Sequence, residues 1–312
     1  MRGSWAFAAV LVAACYQPAP SPGAPCGPED SCPSGQECRG GYCFAVGTPA
    51  DADDMARDRD APNDATVDAM PWGTPSVIAS LETSDSGETD PSISSDRLTA
   101  VLSATTTAGD TDLWLATRTQ VAMPFTLTKL TALNSPADED SAEISADGKT
   151  IYFASDRVTA GSDDIYVSTF TSSWSMPTVV ASLSSTGNDG DLAVSPDGLT
   201  AVVLNTAGQN KFLFHTRAST TAPFGAPAQH AELHITADIA APTITNDAQT
   251  IYFHAGSTRD LYVAHLQGNG TYTTPVPVTE LNTTGRDAAP FVLQSDRYMI
   301  FERGGDIYEV TR

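Results

Sequence analysis

The chain has 312 residues, 16 Lys and Arg against 38 Asp and Glu, and a formal net charge of -22. Nucleic-acid binding needs a basic patch whose contacts release counterions; no cluster of Lys or Arg exists here, and anionic lipid is disfavoured for the same reason. Hydrophobic residues make up 41%, enough for a core, and the wealth of Thr, Ser, Ala, Asp, Gly and Pro reads as turn-rich β structure rather than helix.

The first element is an address. Met1-Arg2-Gly3-Ser4 is a short positive start, and residues 5–14 are an apolar run. Ten residues of helix rise about 15 Å, half of a bilayer core of roughly 30 Å. Residues 1–14 therefore read as a signal peptide rather than a spanning helix. The run ends in Val12-Ala13-Ala14-Cys15, which resembles the bacterial lipobox. That resemblance implies cleavage before Cys15, lipidation of its thiol, and a membrane anchor worth about 0.8 kcal/mol per buried CH2. The alternative is an ordinary secretory signal, which would leave Cys15 unpaired in an oxidising compartment. Tyr16 is not the Asp that favours inner-membrane retention, so the expected place is the outer membrane, on its periplasmic or surface face.

Residues 15–44 form a cysteine-rich module. Cys26, Cys32, Cys38 and Cys43 lie within 18 residues, and no later residue is Cys. An even, dense set in an exported chain reads as two disulfides, with three connectivities open and Cys26–Cys38 with Cys32–Cys43 as the expected one. Each loop closure stabilises by about 2–3 kcal/mol. A metal site is weaker, because no CxxC pair or nearby His is present. Residues 45–71 then carry seven Asp and almost nothing apolar. Self-repelling charge without core-forming residues predicts an extended, disordered linker.

From Trp72 onward the chain repeats itself. A short apolar strand runs into a polar turn carrying Asp at 96, 147, 197, 247 and 296, with gaps of 51, 50, 50 and 49. A β-rich run follows each turn. Next comes an alternating strand such as Asp164-Ile165-Tyr166-Val167, and then an aromatic–x–x–Pro segment leading to Leu, as in Trp174-Ser175-Met176-Pro177 before Leu183. Each unit thus holds four short strands. A fourth-strand copy, Trp72-Gly73-Thr74-Pro75, stands before the first complete unit, and the last unit lacks its own. The offset predicts a ring closed by pairing the N-terminal strand with the C-terminal unit, which leaves only short edges. Residues 72–312 make five sets of about 48 residues, a normal blade size. The expected fold is all-β: a five-bladed β-propeller preceded by a small disulfide-rich module and a disordered linker.

Ser195-Pro196-Asp197-Gly198, and the stretch from Ser145-Ala146-Asp147-Gly148 through Asp156-Arg157 to Asp164-Ile165-Tyr166-Val167, resemble the WD40-like PD40 repeat of TolB-type propellers. The resemblance covers about residues 72–312 and recurs five times. It implies a propeller in the cell envelope. It departs from TolB in having five units rather than six, and a lipidation site, cysteine module and linker where TolB has an α/β domain.

Acidic residues stand just before the first strand of each unit, and Asp90, Asp140, Asp189, Asp191, Asp238 and Asp287 are the candidate ligands. Equivalent positions in five blades would place carboxylates in a ring at the channel mouth. Walls of one sign focus the field on a cation or basic peptide, and oxygen ligands at this density suit Ca2+. The alternative is that each Asp caps backbone N–H groups in its own turn. Arg286 beside Asp287 would weaken the ring in one blade. The marker Asp residues read as turn formers, with glycine at 148 and 198 supplying positive φ.

Enzyme motifs are thin: no G-x-S-x-G, H-E-x-x-H, phosphate loop or dinucleotide fingerprint is present. His230 and His234 on one strand would sit about 13 Å apart, too far to share a metal. The expectation is therefore a monomeric, non-enzymatic envelope lipoprotein. Its propeller would bind a protein, an envelope glycan or a cation, with no cofactor beyond Ca2+ and no nucleic acid. Two alternatives are a glycosidase or lyase using channel carboxylates, and a passive envelope scaffold.

Overall fold

The computed structural model describes residues 71–312 other than 160, 236–237, 246–247 and 294–296, together with the backbone of three short strands nearer the N-terminus. The chain divides into two units, Met1–Ala65 and Thr66–Arg312. In the first, β1 (Ala24–Pro25), β2 (Gln36–Arg39) and β3 (Tyr42–Ala45) form a sheet of order β1-β3-β2, with Cys38 and Cys43 as backbone partners. Cys15, Cys26, Cys32, the cysteine side chains and their pairing, and the segment 46–70 lie outside the described residues.

The second unit is five antiparallel four-stranded sheets. The first blade holds β5 (Ser86–Ile93), β6 (Thr99–Thr105), β7 (Thr111–Thr117) and β8 (Thr126–Lys129). The second holds β9 (Glu139–Ile144), β10 (Thr150–Ser155), β11 (Asp164–Thr169) and β12 (Thr178–Val179). The third holds β13 (Asp189–Val194), β14 (Thr200–Asn205), β15 (Lys211–Thr216) and β16 (Ala228–Gln229). The fourth holds β17 (Ile239–Ile244), β18 (Thr250–Ala255), β19 (Asp260–His265) and β20 (Val276–Pro277). In the fifth, β21 (Asp287–Val292), β22 (Tyr298–Arg303) and β23 (Asp306–Thr311) are joined by β4 (Ser76–Val77), whose Val77 faces Tyr308. The first strands pack in order around an axis, and β21 packs back on β5. This is a five-bladed propeller.

Burial explains the pattern. Second strands are apolar on both faces because each is sandwiched between blades; Ile151 and Phe153 pack with Val101 and Leu113 of the preceding blade. The repeated Leu81, Leu133, Leu183, Leu233 and Leu281 are all buried and end each fourth-strand segment against the core. The marker turn is held by one side-chain exchange: Ser94, Ser145 and Ser195 donate Oγ–H to Asp96, Asp147 and Asp197 at 2.6–2.7 Å. The same Asp oxygen accepts a backbone N–H two residues on. The residue after the Asp turns left-handed, at Gly148 and Gly198 (both φ 71°) and also at Arg97 (φ 58°) and Ala248 (φ 52°). Glycine does this without a Cβ penalty; the other two carry a cost of about 1–2 kcal/mol.

Candidate functional site

The innermost strands share a second special position. Asp90 (φ 48°), Ser141 (50°), Asp191 (25°), Ala241 (46°) and Ala289 (45°) are all left-handed, one per blade. Each sits at a register shift between the first and second strands. An extra residue there bends the strand and re-aims its side chain. The five bulges line one recess on the axis, with the next two residues of most strands completing its wall. The recess with its open mouth measures about 300 Å³.

Asp191 spans blades. Its Oδ1 accepts Ser141 Oγ–H of the second blade at 2.7 Å, and its Oδ2 accepts Ala241 N–H of the fourth at 2.8 Å. Asp90 lines the same recess and has no hydrogen-bond donor among the described residues. Burial, then the charges of Asp191 and Glu302, push its carboxyl up to about 7, against the pull of Arg286 and Arg259. Asp140 stands one residue before the bulge. Burial, then Asp90, Asp191 and Asp163, raise it well above the carboxylate range. Glu143 is 7% exposed, and its Oε1 accepts Val194 N–H of the third blade at 2.8 Å. Burial pushes it up to about 8.

Two further polar groups come from second strands. His254 is buried, and its Nδ1 accepts Ala289 N–H at 3.2 Å. Burial lowers its ring to about 4 despite the nearby charge of Asp191. Glu302 accepts Thr89 Oγ–H at 3.3 Å and pairs with Arg286 at 2.6 Å. The carboxyls of Asp90, Asp140, Glu143 and Asp191 thus come from blades one to three, and blades four and five bring His254, Arg259 and the paired Arg286 and Glu302.

The six candidate carboxylates do not share one position. Asp90 and Asp191 are bulge residues, and Asp140 is their neighbour. Asp189 and Asp287 stand at the start of their strands, fully buried, and turn into their own blades. Asp189 accepts Ser185 N–H at 2.5 Å and Asn205 Nδ2–H at 2.7 Å. Asp287 accepts Thr283 N–H and Oγ–H at 2.6 and 2.7 Å and pairs with Arg303 at 2.5 Å. Glu139 makes the same arrangement with Ser135, Ser155 and Arg157. Asp238 is exposed beside the fourth blade's first strand. Among the described residues, no group of three or more His, Cys, Asp and Glu is arranged to hold a metal ion.

Sequence reasoning missed Glu143, His254 and Glu302. The latter two had a signal: they interrupt second strands that are otherwise apolar, as Thr250-Ile251-Tyr252-Phe253-His254 against Thr150-Ile151-Tyr152-Phe153-Ala154 shows.

No protein-family model and no curated protein matches the chain. Solved structures do. TolB from Acinetobacter baumannii is similar over 73% of this chain and 55% of its own, at 14% identity and TM-score 0.43. The chain thus spans about half the length of that protein. A protein assigned to TolB from Agrobacterium tumefaciens matches over 73% and 76%, at 16% identity and TM-score 0.48. The α-L-arabinofuranosidase of Podospora anserina, solved with cellotriose, matches over 77% of this chain and 96% of its own, at 11% identity and TM-score 0.50. Identities this low show the fold alone. The expectation that the chain catalyses nothing is corrected here. An enzyme shares the fold along nearly its whole length, so a propeller of bare repeats without a familiar motif gives no ground for excluding catalysis.

Proposed function

We propose that the propeller binds its ligand through a cationic group seated in the axial recess. The observation that carries this is the reach of Asp191 across two blade junctions, beside an Asp90 that lacks a donor. Carboxyls crowded in a low-dielectric recess repel one another, and an entering cation relieves that repulsion. Asp90, Asp140 and Asp191 are the ligand-binding residues in this reading; Asp189 and Asp287 hold the loops that precede the site. Titrating the full chain with CaCl2 and with a lysine- and arginine-rich peptide at fixed ionic strength tests it. Heat of binding that vanishes in Asp191→Asn supports it, and no binding of any cation overturns it.

The wider setting is part of the same proposal. The chain is a PD40-type lipoprotein of the envelope, anchored through Cys15 and stapled at Cys26, Cys32, Cys38 and Cys43. Its monomeric propeller, begun at residue 72 and closed by β4, meets a protein or envelope-glycan partner. Labelled palmitate that still enters Cys15→Ser protein would refute the anchor.

A second reading is favoured by one observation. Asp90 and Asp191 line one recess in different surroundings, Asp90 pushed up to about 7 without a donor and Asp191 holding two. Carboxyls set apart in this way divide acid and base roles in glycoside cleavage. Release of 4-nitrophenol from aryl glycosides, lost in both Asp90→Asn and Asp191→Asn, would support it; no release across pentosides and hexosides would sink it.

A further inference from the structure

The blades differ in the turns that join third to fourth strands. These turns, and those between first and second strands, lie at one end of the propeller, because Thr99 is paired with Thr117, Thr150 with Thr169 and Thr200 with Thr216. In the third and fourth blades the joining turns are small and polar, as in Ala218-Ser219-Thr220-Thr221 and Gln267-Gly268-Asn269-Gly270. In the first they carry Val121 and Met123, and in the second Phe170, Trp174 and Met176. Eight large hydrophobic residues are exposed among the described residues, and Val121, Met123, Phe170 and Met176 are four of them. The others are Val158 at the opposite end and one valine on each of three fourth strands, so no other turn at this end carries one. The core does not call for them: Phe125 already fills the buried place of its turn. The Phe170 and Trp174 rings meet edge to face at 5.3 Å, and Met176 beyond them is 85% exposed.

Charge is divided along the axis in the same sense. Turns at this end carry Arg97, Arg118, Lys149, Arg217, Arg297 and Arg312, while Asp110, Asp138, Asp156, Asp163, Asp260 and Asp306 stand at the other. Of the cations at the acidic end, Arg157, Arg286 and Arg303 are paired with Glu139, Glu302 and Asp287. The acids Asp96, Asp147 and Asp197 at the apolar end are engaged by the serines of their own turns. Two cationic residues adjoin the apolar turns directly: Phe170 N–H donates to the Lys149 carbonyl at 2.7 Å, and Arg118 Nε–H to the Arg97 carbonyl at 2.8 Å. The net charge that disfavours anionic lipid for the whole chain therefore does not describe this end. The chain also enters the propeller here. Gly73 N–H donates to the carbonyl of Thr311 at the close of β23, so residues 1–70 join the domain on this same side.

We infer that this end of the propeller docks on a phospholipid bilayer, with the turns of blades one and two in the headgroup region and Arg97 and Lys149 at the phosphates. Aromatic, thioether and branched side chains beside lysine and arginine are the chemistry of the membrane–water interface, and the cationic stems are long enough to keep their charge among headgroups. Two separate projecting tips suit a fluid layer that closes around each, whereas a protein partner would have to offer a matched pit for both. A second copy would bring the same cationic end toward itself. The inference is separate from the cation reading. From the anchored-lipoprotein reading it takes only that a membrane is near.

Hydrogen–deuterium exchange tests it on the full chain carrying Cys15→Ser, so that no acyl chain is attached. Exchange is followed with and without vesicles of phosphatidylethanolamine containing phosphatidylglycerol as the minor lipid. Residues 118–125 and 169–177 should exchange at least threefold more slowly with vesicles, and the turns 217–224 and 266–272 should not change. The readout is local, so adsorption through the apolar run 5–14 cannot imitate it. Met123→Glu combined with Met176→Glu should abolish the protection at an unchanged unfolding temperature, since both side chains are exposed. Protection of the acidic end, of all blades alike or of no turn overturns the inference, as does protection that persists in the double glutamate variant. Slowing that needs no vesicle and grows with protein concentration assigns this end to a second copy and overturns it too. Unprotected turns in a protein whose Cys15 takes palmitate remove the docking and leave the anchor; protected turns where Cys15 takes none remove the anchor and leave the docking.

Discussion

Asp189 and Asp191 stand two residues apart on the same innermost strand, and they have opposite fates. Asp189 is fully buried and spends its carboxylate inside its own blade, on Ser185 and Asn205. Asp191 leaves its blade and joins Ser141 and Ala241 across the axis. On a regular strand, residues i and i+2 share a face. The register shift between Gly190 and Leu192 breaks that parity and turns Asp191 to the axis. The same contrast separates Asp287, paired with Arg303, from Asp90, which has no donor. Carboxylates at the strand start build the blade; those at the bulge strain the site.

The largest test of this contrast is to remove a partner at each place. Arg303→Met leaves Asp287 buried with only the two donors of Thr283. Breaking a buried pair from one side costs about 3–5 kcal/mol, so chemical denaturation should show a loss of that order. Asp90→Asn removes a charge that its neighbours oppose, and its stability should match or exceed the wild type at pH 8. Equal losses in the two variants would mean that both carboxylates are structural.

The second test uses pH. The Glu143 carboxyl is raised from 4.5 to about 8 in the folded chain. Between those values the folded state holds a proton that the unfolded state has released. Stability therefore falls as pH rises from about 4.5 to about 8, and is highest below that window. Glu143→Gln removes the dependence. At 1.36 kcal/mol per unit, a rise of about 3.5 units means that the variant should gain on the order of 5 kcal/mol at pH 9 and almost nothing at pH 4. Thermal unfolding across that range measures it. A gain independent of pH would assign the effect to packing instead.

Much of this was legible in the sequence. The period near 50, the four-strand unit and the count of five sets rest on strong signals, because inter-blade packing demands apolar second strands and the turns demand Ser–x–Asp at a fixed place. The site was half legible. Acids before the first strand were visible, but their division into caps and axis groups depends on a bulge. Glycine commonly marks such a bulge, and here Asp, Ser and Ala occupy it. Nothing in those residue types announces positive φ. Glu143 was hidden for another reason: its position is Ser92 in the first blade, Ala193 in the third, Thr243 in the fourth and Phe291 in the fifth, so no repeat pattern singles it out.

A third, smaller effect separates ligand from fold. If a cation enters the recess, Asp90 and Asp140 must ionise to receive it; Asp90 resists below about 7, and Asp140 is raised in the same direction. Affinity for a cation whose own charge is fixed should therefore rise roughly tenfold per pH unit for each protonated acid displaced. It should rise from pH 6 and level off above about pH 8.5. Calorimetry in buffers of different ionisation heat counts the protons released. A flat pH profile would place the cation outside the recess.

The smallest effect carries the comparison to the outer corners, where again one member of a repeated set lacks its partner. Arg118, Arg217 and Arg312 follow the third strands, and their guanidinium groups lie 4.2, 4.2 and 4.6 Å from the ring centres of Phe125, Phe224 and Trp72. Arg217 Nη2 donates to Tyr152 Oη at 3.3 Å and Arg312 Nη2 to Tyr252 Oη at 3.1 Å, each tyrosine belonging to the preceding blade. Arg118 Nη2 is buried with no partner among the described residues. The reason lies in register: Ile300 faces Glu309 as Tyr152 faces Val167 and Tyr252 faces Val263, so an isoleucine stands where the hydroxyl would be. Tyr152→Phe recreates that orphan at the third blade and should cost about 1 kcal/mol. Arg118→Met loses a stacked ring and one bond to Arg97 carbonyl, but relieves the orphan, and should cost about 1 kcal/mol less than Arg217→Met. Indistinguishable losses for the two arginines would show that the cation–aromatic contact, common to both, holds these corners, and that the tyrosine hydroxyls add nothing between blades.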